Sequence, residues 1–333
     1  MNIRRIFAVG FIFVCTAIAW FVLGQALTLR TQASHQKLGV EVAGNWGTPM
    51  AQRHPVIYYI APTHARPQQN IQPNRSVIRV KLQYDPKKKG LLWYRTYKVD
   101  FDAQYEIINR TPIRQTFYID FQLPAEGVRY DKFSLTIGEK ASTQTPVQGR
   151  ITESVILGPG EEVPLHITYW AAGMDRWDYH FGEQPRVQDF QLAMETDFDE
   201  INIPAGTESP TSREQLTPSG WKLDWTYSDV IGARSIGMDM PAVVNPGPVA
   251  TRITFFAPVS LLFFFTVLLI MSIVRGAGLH PMNYFFLAAG CFAFQLLFAY
   301  LVDLVPTMAA FSIAAVVSLL LVNGYLAAVA GFR

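Results

Sequence analysis

The stretch ITFFAPVSLLFFFTVLLIMSIV, residues 253–274, contains no charged side chain, and its reading decides the class of this chain. A helix needs roughly 20 apolar residues to cross about 30 Å of hydrocarbon. The stretch is long enough. Residues 283–302, NYFFLAAGCFAFQLLFAYLV, and residues 307–332 are equally free of charge, and a fourth such run, 6–26, opens the sequence. Four membrane-spanning helices are therefore predicted, with a long polar, proline-punctuated segment between the first and second. That segment cannot lie in lipid, where its backbone groups would be unsatisfied.

Basic residues set the expected orientation. Arg4 and Arg5 precede the first span, Arg275 lies between the second and third, and Arg333 ends the sequence, whereas the loop between the third and fourth carries only Asp303. The positive-inside rule puts both termini in the cytoplasm and residues 28–248 in the periplasm. A cleaved signal peptide ending near Gly24-Gln25-Ala26 is the competing reading of the first run. An uncleaved anchor is preferred, because the apolar stretch exceeds the roughly 7–15 residues of a signal-peptide core. The expected organisation is an anchor over 1–27, a periplasmic β-rich domain over 28–248 and a three-helix membrane domain over 249–333.

The two cysteines, Cys15 and Cys291, both fall inside predicted spans, so no disulfide can staple the outer segment. Its charge is divided. Residues 28–98 hold 12 Lys and Arg against 2 acidic residues, while 99–248 hold 11 against 23. Either the basic part, with Arg75, Arg79, Lys81 and Lys87–Lys89, faces anionic headgroups, or the two halves neutralise each other within one domain. A nucleic-acid partner is excluded by the outer location.

Alternation dominates the outer segment. Residues 79–84, 98–102, 116–121 and 165–169 read with the period of half-buried strands. Asp85-Pro86, Asn109-Arg110-Thr111-Pro112, Gly158-Pro159-Gly160 and Thr217-Pro218-Ser219-Gly220 supply turns between them. No long helical pattern is read before Arg252. The fold class expected is a polytopic α-helical membrane protein with a large extracytoplasmic all-β, sandwich-like domain.

Candidate sites are few. The run from Met174 to Gly182 combines Asp175, Trp177, Asp178 and His180, a mixture suited to holding a sugar by stacking and hydrogen bonding; a strand with core aromatics and solvated charges is the plainer reading. Glu195, Asp197, Asp199 and Glu200 lack the glycine turn of a calcium loop and a readable glycosidase separation. His35, His54, His64 and His166 are scattered, and no nucleophile or phosphate-loop motif is present. No cofactor, metal site or catalytic residue is assigned. In the spans, Asn283, Gln295 and Asn323 are expected to make helix–helix contacts, Ala288, Ala289, Gly290, Ala293, Ala309, Ala310, Ala314 and Ala315 to permit close approach, and Trp20 and Tyr300 to anchor the outer interface.

Three features resemble the CreD-type inner-membrane proteins, a bacterial cell-envelope integrity family. They are the Pro246-Gly247-Pro248 entry to the second span, the Leu279-His280-Pro281-Met282-Asn283-Tyr284 start of the third, and the fourth helix ending in Asn323-Gly324-Tyr325. The plan also matches: one N-terminal span, a large β-rich periplasmic domain, then clustered helices. The resemblance implies an envelope-integrity or stress role and brings no catalytic residue. CreD-type proteins usually continue through further helices where this sequence ends at Arg333, which leaves a short member and a truncated frame both open.

A non-catalytic inner-membrane protein whose outer domain binds, senses or scaffolds an envelope component is therefore expected, with the lipid bilayer as its first partner. The alternatives are a subunit of a larger membrane complex or transporter, or a homo-oligomer, and a carbohydrate-active outer domain.

Overall fold

The computed structural model describes residues 3–61, 68–89, 92–182, 186–243, 245–274, 280–302 and 304–331. Arg275, Leu279, Asp303, Arg333 and His64 of the sequence reading lie outside them, as does the side chain of His35.

In chain order the elements begin with α1 (Ile3–Trp46), β1 (Met50–Arg53), β2 (Val56–Ile60), β3 (Gln68–Ile71), β4 (Arg75–Tyr84), β5 (Lys87–Lys89) and β6 (Leu92–Tyr94). There follow β7 (Thr96–Ile108), β8 (Gln115–Gln122), β9 (Tyr130–Ile137), β10 (Lys140–Ala141), β11 (Arg150–Leu157) and β12 (Glu162–Met174). Then come β13 (Arg176–His180), β14 (Arg186–Thr196), β15 (Ser212–Thr217), β16 (Gly220–Ile231) and β17 (Ile236–Asp239). Three helices close the chain: α2 (Pro246–Val274), α3 (Pro281–Leu301) and α4 (Thr307–Gly331).

Two compact units divide the chain, one holding Met1–Leu38, Lys89–Trp93 and Val244–Arg333, the other Gly39–Lys88 and Tyr94–Val243. The second unit is the β-rich one. Its largest sheet has the strand order β10-β9-β12-β7-β4-β14-β16-β15, antiparallel throughout except where β4 and β14 run parallel. A four-stranded sheet, β11-β8-β2-β3, and a three-stranded one, β1-β13-β17, contribute to the same apolar core. Alternation builds that core. On β7, Val99, Phe101, Ala103, Tyr105 and Ile107 point inward, and on β12 Leu165, Ile167 and Tyr169 do the same. Phe101 and Tyr169 are register partners whose rings stack with centroids 4.8 Å apart, a cross-strand pair of the kind that stabilises a sheet.

The predicted strand runs fall inside β4, β7, β8 and β12, and the predicted turns fall between strands. Helix α1 differs from expectation. It continues through Trp46, so residues 28–46, assigned by sequence to the β-rich segment, are helical. No proline interrupts them, and the polar residues after Leu27 leave lipid without breaking the helix's internal hydrogen bonds.

The first unit gathers helices α1 to α4, all four long and apolar enough to cross a membrane. Neighbours run antiparallel: Phe21 of α1 lies near Phe255 of α2, and Tyr325 near the end of α4 reaches Asn283 near the start of α3. Large apolar side chains such as Phe263, Ile270 and Leu320 are exposed on the outside, where a bilayer covers them.

Candidate functional site

The outward face of the large sheet carries a row of side chains built by register. Glu195 of β14 stands opposite Lys81 of β4, Lys81 opposite Asp100 of β7, Asp100 opposite Trp170 of β12, and Trp170 opposite Asp131 of β9. Adjacent strands lie about 4.8 Å apart. Members of the row alternate with core residues, as Lys81 does between Val80 and Leu82, Asp100 between Val99 and Phe101, and Trp170 between Tyr169 and Ala171. Four of the row, Lys81, Asp100, Asp131 and Trp170, line a groove of about 460 Å³ that also takes in Gln83, Lys98, Arg129 and, at the end of α1 and just past it, Trp46 and Gly47.

Two local devices shape the groove. Pairing between β12 and β9 shifts register between Thr168 and Trp170, a β-bulge, and near it Lys132 adopts φ +52 with its Nζ 3.9 Å from the centroid of the Trp170 ring. Bulges re-aim side chains and gather at functional sites. Gly47 has φ +105, and a Cβ there would lie 2.1 Å from the Ala172 carbonyl oxygen. Only glycine lets the chain leaving α1 press this close to β12.

The groove's charges are partly committed. Lys81 Nζ is 3.1 Å from Glu195, and Arg129 Nε donates to Asp131 at 2.8 Å. Trp170 is 48% exposed, an indole on an otherwise polar sheet face. Hydrogen-bonding groups of both signs around an aromatic surface suit a polar ring-bearing ligand.

The residues singled out in the sequence are arranged differently. Trp177 is wholly buried in the core, so it cannot stack on a ligand: with period 2 along β13, Trp177 and Tyr179 point inward while Asp178 and His180 take the other side. Asp178 accepts from Arg176 Nε at 2.7 Å, and burial raises its carboxyl above the ordinary value against the pull of Arg176. Asp175 sits at φ +66 between β12 and β13 and accepts from Arg95 Nε at 2.9 Å. The half-buried His180 receives the His54 backbone N–H on its carbonyl at 2.8 Å. The four do not converge on one surface. Asp197, Asp199 and Glu200 accept hydrogen bonds from Tyr84 N–H, Trp221 Nε1 and Ala242 N–H. Among the described residues no group of three or more histidine, cysteine or acidic side chains could hold a metal ion.

Beneath the sheet lies a polar seam absent from the sequence reading. His54 Nδ1 lies 2.7 Å from Tyr179 Oη, which is 3.1 Å from Tyr105 Oη, while Tyr169 Oη donates to Gln52 Oε1 at 2.8 Å. Burial pushes the His54 imidazole down to about 3, so it is neutral.

In the helical unit, Asn283 Oδ1 accepts from Tyr325 Oη at 2.9 Å and Ser318 Oγ donates to the Gly290 carbonyl at 2.9 Å, both tying α3 to α4. Gln295 is buried, whereas Asn323 faces outward on α4. Trp20, expected as an interfacial anchor, is instead 1% exposed and packs with Ala257, Leu261 and Ala288.

The family model described as inner membrane protein CreD matches residues 214–332, from β15 through α4. This part of the chain is CreD-like. The CreD-like segment contains the Pro246-Gly247-Pro248 entry and both later helix motifs that carried the resemblance. Curated proteins give no match by sequence. Among solved structures, a candidate nutrient-binding protein from Legionella pneumophila is similar at 10% identity over 65% of this chain and 76% of that one, with a TM-score of 0.39. An M1 zinc metallopeptidase from Deinococcus radiodurans is similar at 11% identity over 50% of this chain and 42% of that one, with a TM-score of 0.32. The chain spans less than half the length of that metallopeptidase.

Proposed function

We propose that this chain is a non-catalytic protein of the bacterial inner membrane whose β-rich, sandwich-like region stands in the periplasm and binds an envelope component through the Trp170 groove. The observation that carries the reading is the row Lys81, Asp100, Trp170, Asp131: a solvent-facing indole with Asp100 and Asp131 on the strands either side of it and Lys81 one strand further. Its chemistry fits an amino-sugar glycan, with the indole taking a sugar face and the charges taking hydroxyl, amide or amino groups. The CreD-like segment and the four apolar helices support the membrane setting, and Arg4 and Arg5 before the first span support cytoplasmic termini.

Cosedimentation of the detergent-solubilised full chain with insoluble cell-wall glycan tests the reading. Trp170→Ala is expected to weaken binding by about 30-fold, the weight of a central tryptophan at about 2 kcal/mol, while Trp93→Ala leaves it unchanged. Equal binding by both variants and the parent rejects the groove. Alkaline phosphatase fused at Gly206 should be active and at the C-terminus inactive; the reverse rejects the orientation.

A second reading has one observation of its own. Asn323 is polar and exposed on α4, a costly placement against lipid that a neighbouring helix of another subunit relieves. Cross-linking from position 323 to another protein in native membranes supports it.

A further inference from the structure

Helices α1 to α4 together line a cavity of about 590 Å³. Trp20 and Gln295, 1% and 7% exposed, both line it, and Trp20 Nε1 and Gln295 Oε1 have no hydrogen-bond partner among the described residues. Buried polar atoms left without partners are rare in water-soluble proteins and rarer in lipid, where water cannot serve them. Ser260 and Ser318 add hydroxyls to the wall, and Arg252 is the cation among the described lining residues.

Depth follows from the helix register. Phe255 faces Gly24, so a Cβ on Gly24 would lie 2.9 Å from its ring. Arg252 precedes Phe255 by three residues on α2, and Trp20 precedes Gly24 by four on the antiparallel α1; at 1.5 Å per residue Trp20 lies roughly 10 Å deeper than Arg252. Arg252 shares its end of the bundle with Arg30, whose guanidinium lies 5.9 Å from the Tyr300 ring. The cavity is thus cationic at one end, polar about 10 Å below and apolar between and beyond.

We infer that this cavity holds the headgroup and one acyl chain of an anionic phospholipid, the phosphate against Arg252, the ester linkage at the level of Trp20 and Gln295, and that acyl chain along Leu261 and Cys291. The Trp20 indole N–H is the donor an ester carbonyl requires, and the Gln295 amide is a second polar contact. A helix of a partner subunit fits less well. It brings no anion to Arg252. A volume of 590 Å³ falls within the range of about 300–1,000 Å³ usual for small-molecule sites.

The test uses the full chain in lipid discs of phosphatidylethanolamine and phosphatidylglycerol. A trace of either lipid carries a photoactivatable diazirine in one acyl chain, and adducts are mapped by peptide mass spectrometry. Phosphatidylglycerol should label Leu261 and Cys291 above phosphatidylethanolamine. Arg252→Gln should cut that labelling roughly five-fold, the weight of one basic side chain at an anionic headgroup, and leave phosphatidylethanolamine labelling unchanged. Adducts confined to outward-facing Phe263, Val267 and Leu320, equal labelling by both lipids, or no effect of Arg252→Gln would overturn the site. If Arg252→Gln does not elute as a single species, the ratio of the two lipids on the parent chain decides alone.

Discussion

The β-rich unit fills its interior with its largest side chains, Trp225, Phe101, Tyr169 and Phe190 among them, whereas the helical unit buries a few rings such as Trp20 and Phe298, sets Ala250, Ala257, Ala288, Gly290, Ala310 and Ala314 at its contacts, and turns Phe256, Phe263 and Leu320 outward. The difference is the solvent. In water, removing apolar area is the main driving force, so large rings go inside. In lipid that force vanishes between helices, and close backbone approach and a few polar contacts hold the bundle instead. The same residue type therefore carries opposite meaning in the two units, and alternation identifies the core only in the first.

Truncating a core ring should break this symmetry most visibly. Phe101→Ala removes a fully buried ring stacked on Tyr169, and a loss of about 3–5 kcal/mol is expected. Phe263→Ala on α2 should change stability by no more than about 0.5 kcal/mol. Protection from limited proteolysis of the full chain in detergent reads both. Comparable losses from the two would show that the helical unit, too, depends on its aromatic side chains.

Close approach of α3 and α4 gives the converse test. A Cβ on Gly290 would lie 2.7 Å from Val322, while Gly324 has nothing within 4 Å. Gly290→Leu should cost about 1–3 kcal/mol as an overpacked contact. Gly324→Ala should be neutral or slightly stabilising. Thermal unfolding of the helical unit in detergent, followed by circular dichroism, separates them; equal behaviour would remove the small-residue packing from the comparison.

Proton uptake distinguishes the units by another route. The unfolded His54 titrates near 6.5 and the buried one at about 3, so the unfolded chain takes up its proton first. Stability is then full above about 6.5 and falls by about 1.4 kcal/mol for each pH unit below it, until about 3. Hydrogen exchange at the amides of β1 and β13 should accelerate between pH 7 and 5 after correction for intrinsic rates. His54→Leu should flatten that dependence; an unchanged profile would place the titration elsewhere.

Legibility followed the same divide. Strands β4, β7, β8 and β12 were readable because burial on one face leaves a period-2 imprint, and the four spans because lipid demands uninterrupted apolar length. The extension of α1 to Trp46 was not, since residues 28–46 lack both an apolar stripe and a proline. Trp177 drew attention through composition, yet its parity with Tyr179 is inward. Trp170 was missed although one more step past Tyr169 puts a tryptophan on the polar parity of β12. The tyrosine partners of Gln52, His54 and Asn283 lie at least 42 residues away in sequence, and no local pattern encodes them.

The smallest expected effect concerns the divided charge of the β-rich region. Its basic and acidic parts meet at the parallel pair β4–β14, where Arg75 lies 3.5 Å from Asp189 and Lys81 3.1 Å from Glu195. This geometry favours mutual neutralisation over a lipid-facing basic strip for these two residues. The side chains of Lys81 and Glu195 are 55% and 41% exposed, so water screens the pair and its contribution is about 0–1 kcal/mol. A double-mutant cycle with Lys81→Gln and Glu195→Gln should give a coupling in that range that shrinks as salt rises, because exposed charges are screened over about 10 Å at 0.1 M. Coupling indistinguishable from zero at low salt, together with salt-sensitive loss of anionic-vesicle binding by Lys81→Gln alone, would return this charge to the membrane surface and break the pairing across β4 and β14.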